Sequence, residues 1–166
     1  MQHYSVLLNE TIENLNIKED GIYVDATLGY AGHSSELLKR IKKGKLFAFD
    51  QDAEAIKSAE DRLGKISSNF EIIHSNFVHM KEELTNRNVK SVDGIIFDLG
   101  LSSPQIDNAK RGFTFMQSAP LDMRMNQEQE KTAKDVVNTY SLEQLLSIFY
   151  QYGEEKMSKA IASLIV

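Results

Sequence analysis

The sequence predicts an α/β fold built on a doubly wound, Rossmann-like parallel sheet. Short apolar runs alternate with helical patterns in a βα, βα, βα, β rhythm, and no repeat or linker interrupts this rhythm before about residue 100. The run Ile95-Ile96-Phe97 is apolar at every position, which is typical of a parallel strand covered by helices on both faces.

The composition excludes several classes of protein. The 166 residues are 42% hydrophobic and include no cysteine, which indicates a globular chain without disulfides, a thiolate nucleophile or a Cys-ligated zinc site. Because 19 Lys and Arg stand against 24 Asp and Glu, the net charge is −5 and a nucleic acid would have to meet a local basic patch. No signal peptide or apolar stretch of about 20 residues is visible, so we expect a cytoplasmic protein.

The strands and helices up to residue 98 follow from local patterns. Leu8, Ile12 and Leu15 share one face of a first helix. A second helix is predicted over Ser34–Lys43, because Lys and Arg fill its last turn and Gly44 follows it. The predicted strands are Ile22–Asp25, Leu46–Asp50, Phe70–His74 and Val92–Asp98.

The remaining helices are predicted from caps and apolar stripes. Asp52 is the expected N-cap of a helix whose inner stripe is Ala55, Ile56, Ala59 and Leu63, and a further helix covers about Val78–Arg87. The rhythm stops after Leu101, and Ser102–Arg124, which holds both prolines, is predicted to be a long loop. Two later helices begin at capping boxes, Thr132 with Asp135 and Ser141 with Gln144.

We therefore divide the chain into a Rossmann-like part, residues 1–104, and a helical insertion, residues 105–166. The last residues, 160–166, continue an apolar helical pattern without a closing signal, so we expect that the C-terminal part of a larger fold is missing. In that case the fourth strand would be an exposed edge, which predicts self-association through it.

The turn after the first strand, Asp25 to His33, is rich in small residues and opens a helix. Such a turn lets the backbone approach a ligand. It departs from a strict GxGxxG motif, since Ala31 stands where the second Gly would be and Ser34 where the third would be. A plain strand-to-helix connection that uses Gly for a positive φ is the alternative.

Two residues at neighbouring strand ends favour an adenosine-containing cofactor. Asp50 ends the second strand 21 positions after Gly29, close to the spacing of about 20 at which an acid meets ribose hydroxyls. Phe77 follows the third strand and could pack on an adenine ring. The alternatives are a solvated strand end for Asp50 and a core aromatic for Phe77.

The fourth strand leads into Asp98-Leu99-Gly100-Leu101-Ser102-Ser103-Pro104-Gln105, the strongest motif of the chain. An enzyme that methylates an exocyclic amine needs hydrogen-bond acceptors at this edge, because the nitrogen lone pair is delocalised into the ring. A carboxylate, hydroxyl or carbonyl that accepts from the N–H orients the amine. The alternative is a Gly-Ser-Pro turn capped by Asp98.

Several ordered segments resemble the bacterial 16S ribosomal RNA cytosine-N4 methyltransferase family. The resemblance runs from about His3 to Val166, and the matching segments are DATLGYAGHS (Asp25–Ser34), AFDQD (Ala48–Asp52), DGIIFDLGLSSPQID (Asp93–Asp107), RGFTF (Arg111–Phe115), APLDMRM (Ala119–Met125) and YGEE (Tyr152–Glu155). It implies a class I fold that uses S-adenosylmethionine, with a helical domain inserted after strand four, and methylation of a decoding-centre cytosine.

The resemblance also implies which residues bind the cofactor. These are Ala31, Gly32, His33, Asp50, Phe77, Asp98 and Gln105. Acceptors near the cytosine amine are drawn from Asp98, Ser102, Ser103 or the backbone, with no choice made among them. Asp122 and Arg124 are candidates to contact the target base, or to fold their own loop through an internal interaction.

The chain departs from the family's pattern in two ways. Ala31-Gly32 replaces the usual Gly-Gly before the histidine, and family members are considerably longer, which puts the activity of 166 residues in question. Lys110, Arg111 and Arg124 are better placed for RNA than the basic segment, residues 39–45, for which a solvated helix end is the simpler interpretation. No metal site is expected from the four histidines, which form no HxH or HxxxH pair.

Two other functions share parts of this pattern. A nicotinamide-dependent oxidoreductase uses the same turn and strand-two acid, but the loop after strand four has no evident hydride-transfer partner. A non-catalytic fragment that binds cofactor or ribosome cannot be separated from the methyltransferase by sequence.

Overall fold

The computed structural model describes residues 5–166, so His3 lies outside the described residues. The described residues divide into two compact units, residues 5–102 and 103–166. No helix in the described range is long and apolar enough to cross a membrane.

The first unit contains a four-stranded parallel sheet, and the predicted α/β fold is confirmed. Its strands are β1 (Ile22–Asp25), β2 (Lys45–Asp50), β3 (Phe70–His74) and β4 (Gly94–Ile96), in the spatial order β3-β2-β1-β4. β4 is shorter than the predicted Val92–Asp98. It ends early because the Asp98 amide donates to the Thr27 side chain instead of continuing the backbone ladder.

Helices cover both faces of this sheet. The helices of the first unit are α1 (Leu8–Asn14), α2 (Gly32–Leu38), α3 (Ala53–Gly64) and α4 (Met80–Asn86), with a 3₁₀ turn at Phe77–His79 before α4. One apolar cluster joins α1, α2 and α3 to one face, through residues such as Leu37 and Leu63. A second cluster joins Leu84 of α4 to Phe47 and Phe49 on the opposite face. The predicted N-cap of α3 is confirmed, since the Asp52 carboxylate accepts from the Glu54 amide.

α2 ends five residues before the predicted Lys43. The backbone amides of Lys42, Lys43 and Gly44 all donate to the carbonyl of Glu19, at 2.8, 2.8 and 3.0 Å, and this removes them from the helical pattern. The basic residues predicted to close the helix therefore lie in the connection to β2.

Glutamates pair with much of the basic segment, residues 39–45. Glu36 contacts both Lys39 and Arg40, Glu19 contacts Lys42, and Glu71 contacts Lys45. The charges that a polyphosphate would need are thus already engaged by carboxylates, which agrees with a solvated surface rather than an RNA contact.

The strand order reverses between β1 and β4. The chain adds β2 and β3 on one side of β1 and then crosses to the other side to form β4. In open α/β sheets, ligands bind outside the carboxyl ends of the strands at such a switch point. The residues that follow β1 and β4 are therefore where the fold predicts a ligand site.

β4 lies at the edge of the sheet in the described part of the chain. Ile96 is buried, but Ile95 is 41% exposed and Phe97 is 51% exposed, so the prediction that this run is covered on both faces is wrong. The reason is its edge position, because among the described residues no further strand pairs with its outer side. Self-association through this edge stays a prediction.

The second unit is helical. Its helices are α5 (Ser103–Asp107), α6 (Ala133–Thr139), α7 (Leu142–Gln151) and α8 (Ser158–Ile165), with a 3₁₀ turn at Ala109–Arg111. The predicted long loop thus contains short helical turns, because Pro104 sits in the first turn of α5, where a missing N–H costs little. Both predicted capping boxes, at Thr132 and Ser141, are confirmed. α7 packs against α8.

Candidate functional site

Asp98 stands at the switch point, two residues beyond the end of β4. Its backbone amide donates to the Thr27 hydroxyl at 2.7 Å, and Thr27 lies just beyond the end of β1. One carboxylate oxygen is 3.6 Å from Nδ1 of His33, while the side chain remains 47% exposed. The main chain at Asp98 is therefore fixed by Thr27, and its carboxylate remains accessible to a ligand.

A second carboxylate, Asp25, lies buried beneath this point. It accepts from the Ser34 hydroxyl at 2.7 Å and from the Thr27 amide at 3.1 Å. Burial raises the pKa of Asp25, and the two hydrogen bonds oppose that shift only in part. Its geometry serves to join the end of β1 to the start of α2.

His33 connects the start of α2 to the N-terminal segment. Its Nε2 lies 3.1 Å from the carbonyl oxygen of Val6, and because a carbonyl only accepts, Nε2 carries the hydrogen. The imidazole is buried, and its other nitrogen faces Asp98. His33 therefore joins the start of α2 to the N-terminal segment, and its buried ring lies beside the Asp98 carboxylate.

The turn that precedes His33 uses positive φ angles at two positions. Gly29 has a φ of 49° and Ala31 a φ of 59°, so Ala31 occupies a left-handed conformation that favours glycine. Gly32 is close to the N-terminal segment, since a Cβ on it would lie 1.8 Å from the Ser5 hydroxyl oxygen. The small residues of this turn are thus required by local backbone geometry and by Ser5.

Asp50 fixes the same turn from the end of β2. One carboxylate oxygen accepts from the Gly29 amide at 2.7 Å and the other accepts from the Asp52 amide at 2.9 Å. Each carboxylate oxygen has two acceptor positions, so these bonds leave each of them able to accept another hydrogen bond. The interpretation of Asp50 as a merely solvated strand end is therefore wrong.

Phe77 is 37% exposed and belongs to neither apolar cluster of the sheet. Its ring meets the Phe97 ring edge to face, with 5.5 Å between centroids. The interpretation of Phe77 as a core aromatic is thus wrong, and Phe97 is its main aromatic neighbour.

A cavity of about 390 Å³ opens beside His33 and Asp98. It lies between α1 and β4, where Thr11 and Asn14 add polar atoms to walls formed by Phe97 and other apolar side chains. The cavity is large enough for part of a small molecule.

The remaining predicted residues lie at the end of the first unit or at the start of the second. Ser102 is half-buried in the first unit, Ser103 is exposed at the start of α5, and Gln105 is buried on α5. Their assignment to cofactor and substrate stays a prediction.

Asp122 and Arg124 interact with each other. The guanidinium donates from Nε and Nη2 to the two oxygens of Asp122, at 2.9 and 2.7 Å, and a third nitrogen donates to the Gln129 carbonyl. This fork holds the pKa of the Asp122 carboxyl below its usual value. The internal interaction that folds the loop is observed, and a contact with the target base stays a prediction.

Arg111, predicted as an RNA contact, is buried. Its Nη2 donates to the carbonyls of Arg124 and Met125, at 3.0 and 3.1 Å. Arg111 therefore braces this loop from within, whereas Lys110 is exposed beside it.

Sequence reasoning missed three residues that shape this site. Asp25 ends a predicted strand in the same way as Asp50, and that signal could have identified it. Thr27 and Phe97 gave no such signal, because their roles depend on which strand lies beside β1.

Among residues 5–166, no group of three His, Asp or Glu side chains is arranged to hold a metal ion.

Comparisons with known proteins identify relatives along the whole chain. The family model described as the MraW methylase family matches residues 1–166. A ribosomal RNA small subunit methyltransferase H from Mycoplasmopsis synoviae is 57% identical over 164 residues, covering 99% of this chain and 54% of that protein. The protein of the same name from Mycoplasmopsis agalactiae is 54% identical over 165 residues, covering 99% of this chain and 55% of that protein.

A solved structure, a rRNA methylase from Streptococcus thermophilus, is 25% identical, covers 60% of this chain and 58% of that chain, and has a TM-score of 0.46. The chain spans about half the length of the curated relatives it matches.

Proposed function

The chain belongs to the MraW methylase family, and on that premise we propose that it uses S-adenosylmethionine to methylate N4 of a decoding-centre cytosine in 16S ribosomal RNA. The names of relatives that are 54% and 57% identical support methyl transfer to RNA of the small ribosomal subunit. The cytosine and its N4 atom rest on the resemblance of the chain's ordered segments, among them Asp93–Asp107 and Ala119–Met125, to the cytosine-N4 methyltransferase family.

The observation that carries the proposal is the pair of carboxylates beside the β1 turn. Asp50 ends β2 and can accept from vicinal hydroxyls while it holds the Gly29 amide. Asp98 follows β4, held by Thr27 and near His33, with its carboxylate accessible. Together with the half-exposed Phe77 ring, these groups match the ribose, adenine and amino acid parts of S-adenosylmethionine in chemical type.

The assigned binding residues divide between these groups. Ala31, Gly32 and His33 form the turn against the amino acid part, Asp50 accepts from the ribose hydroxyls, and Phe77 packs on adenine. Asp98 and Gln105 are the other two residues that we assign to cofactor binding.

When bound, S-adenosylmethionine supplies an electrophilic methyl group on a positively charged sulfur. The chain's own part is to hold the cytosine amine in line with that methyl group and to accept hydrogen bonds from the N–H groups of the amine. Asp98, Ser102 and Ser103 are the candidate acceptors. Since the chain has no cysteine, no thiolate adds to the cytosine ring. Rate enhancement then comes from orientation and from the acceptors around N4.

The partner is the RNA of the small ribosomal subunit, which locates the reaction in the cytoplasm. The described surface offers little net positive charge at residues 39–45, where glutamates pair with the cations. RNA contacts are therefore assigned to the second unit, where Lys110 is exposed.

The first test is calorimetric titration of the protein with S-adenosylmethionine, S-adenosylhomocysteine and NAD. We expect saturable binding of the first two and none of NAD. Binding of NAD alone would replace the proposal with the oxidoreductase, and binding of none would contradict the cofactor assignment.

The second test is methyl transfer to unmethylated small ribosomal subunits, followed by mass spectrometry of the nucleosides. We expect N4-methylated cytidine with the unaltered protein and none with Asp98→Ala, at an unchanged melting temperature. Transfer by Asp98→Ala at the unaltered rate would remove the role of Asp98. Cofactor binding without transfer would identify a non-catalytic fragment.

A further inference from the structure

We propose that Thr27 is a positioning residue that sets the place of Asp98 for cofactor binding. This inference rests on the proposed function, because it concerns how Asp98 is presented to S-adenosylmethionine. The contact that motivates it is the hydrogen bond of 2.7 Å from the Asp98 amide to the Thr27 hydroxyl.

The hydroxyl continues the pairing of β1 and β4 one step beyond their backbone ladder. The last backbone bond between them runs from the Ala26 amide to the Ile96 carbonyl, at 2.9 Å. β4 pairs over only three residues, and Gly100, with a φ of 153°, turns the chain away soon afterwards. Asp98 thus sits between a short strand and a glycine turn, where a side-chain acceptor fixes its main chain.

Thr27 is itself held by a hydrogen bond from its backbone amide. Its amide donates to the buried carboxylate of Asp25, which also accepts from the Ser34 hydroxyl. His33, the residue before Ser34, faces the Asp98 carboxylate. These contacts close a ring in which Asp98 is held at its amide by Thr27 and approached at its carboxylate by His33.

The residue type fits this role. Branching at Cβ restricts the χ1 angle of threonine, so its hydroxyl oxygen keeps one direction. Serine retains the acceptor with more freedom, whereas valine retains the shape without the acceptor. A comparison of threonine, serine and valine at position 27 therefore separates the effect of the hydrogen bond from the effect of packing.

The test compares Thr27→Val and Thr27→Ser with the unaltered protein. We expect Thr27→Val to weaken S-adenosylmethionine binding by about tenfold, the effect of one lost hydrogen bond, and Thr27→Ser to stay within about threefold. The control is Thr85→Val, which removes a threonine hydroxyl bond to the Lys81 carbonyl in α4, away from this site. It should leave the affinity unchanged.

A double-mutant cycle with Asp98→Ala distinguishes positioning from a structural role. If Thr27 acts through the Asp98 carboxylate, Thr27→Val has little further effect on affinity once that carboxylate is gone. Additive losses would overturn the proposal, as would unaltered affinity in Thr27→Val. Failure of the unaltered protein to bind S-adenosylmethionine would instead overturn the proposed function.

Hydrogen exchange of the unaltered protein tests the contact itself, even if Thr27→Val does not fold. The Asp98 amide should exchange at least about tenfold more slowly than the Leu99 amide, since a hydrogen bond protects it. Equal exchange rates of the two amides would overturn the inference.

Discussion

Replacing Asp50 with asparagine should reduce both stability and cofactor affinity. In the structure, each carboxylate oxygen accepts one backbone amide, Gly29 at 2.7 Å and Asp52 at 2.9 Å. Asparagine keeps one oxygen and turns an NH₂ group toward the other amide. One of the two backbone N–H groups therefore loses its acceptor.

The magnitude follows from that loss. A hydrogen bond to a charged acceptor contributes about 1.5–3 kcal/mol, so we expect Asp50→Asn to lower the free energy of unfolding by about 2 kcal/mol. For a chain of this size the melting temperature would fall by roughly 4–8 °C. The loss of one charged acceptor for a ribose hydroxyl should raise the Kd for S-adenosylmethionine about tenfold.

The two effects need separate assays. Urea unfolding followed by circular dichroism gives the free energy of unfolding, and calorimetric titration gives the Kd at a temperature well below melting. Asp61→Asn is the matched control, since Asp61 is an exposed aspartate on α3. It should change neither quantity.

Each half of the reasoning can fail independently. Unfolding of Asp50→Asn at the same urea concentration as the unaltered protein would show that the carboxylate does not hold the turn. A lower stability with an unaltered Kd would restrict Asp50 to a structural role and remove it from the cofactor site.

Three further predictions concern other parts of the structure. Burial raises the pKa of Asp25, so the ionised carboxylate destabilises the folded state. This destabilisation is absent below the unfolded-state pKa of about 3.8 and grows as the pH rises through the folded-state pKa. Urea unfolding should therefore show Asp25→Asn gaining stability relative to the unaltered protein between pH 3.5 and pH 7. Ala31→Gly relieves about 1 kcal/mol of left-handed backbone strain but removes a buried methyl group that contributes a similar amount. The free energy of unfolding measured in urea should therefore change by less than about 1 kcal/mol. Arg124→Lys loses the planar fork on Asp122, and limited proteolysis should cut the loop around Gln129 several-fold faster.

The fold was largely predictable because its signals are local. β1 and β3 have the predicted bounds, since each apolar run is bordered by turn residues or a charged end. α2 and β4 were misjudged at their ends. In both cases a distant group, the Glu19 carbonyl or the Thr27 hydroxyl, captures backbone amides that the local pattern assigned to the element.

The position of the candidate residues was predictable where a strand end determines it. Asp50 was named from its spacing to Gly29 and Asp98 from its place after the fourth strand, and both lie near the turn after β1. Their binding roles stay predictions. Phe77 was assigned correctly to a strand end, but its contact with Phe97 depends on loops that meet across the sheet. The role of Arg111 was not predictable, since a guanidinium serves RNA and an internal carbonyl equally well. The interaction of Arg124 with Asp122 was one of the two alternatives that the sequence left open.

The pairing of glutamates with the basic segment has a consequence for how affinity responds to salt. Binding of a polyanion gains free energy when condensed counterions leave its phosphates, and each cation that replaces them adds about one to the slope of log affinity against log salt. At residues 39–45, however, Glu19, Glu36 and Glu71 already compete for those cations. This end of the molecule should therefore add little to that slope, because the protein's own carboxylates oppose nonspecific binding of a polyanion there.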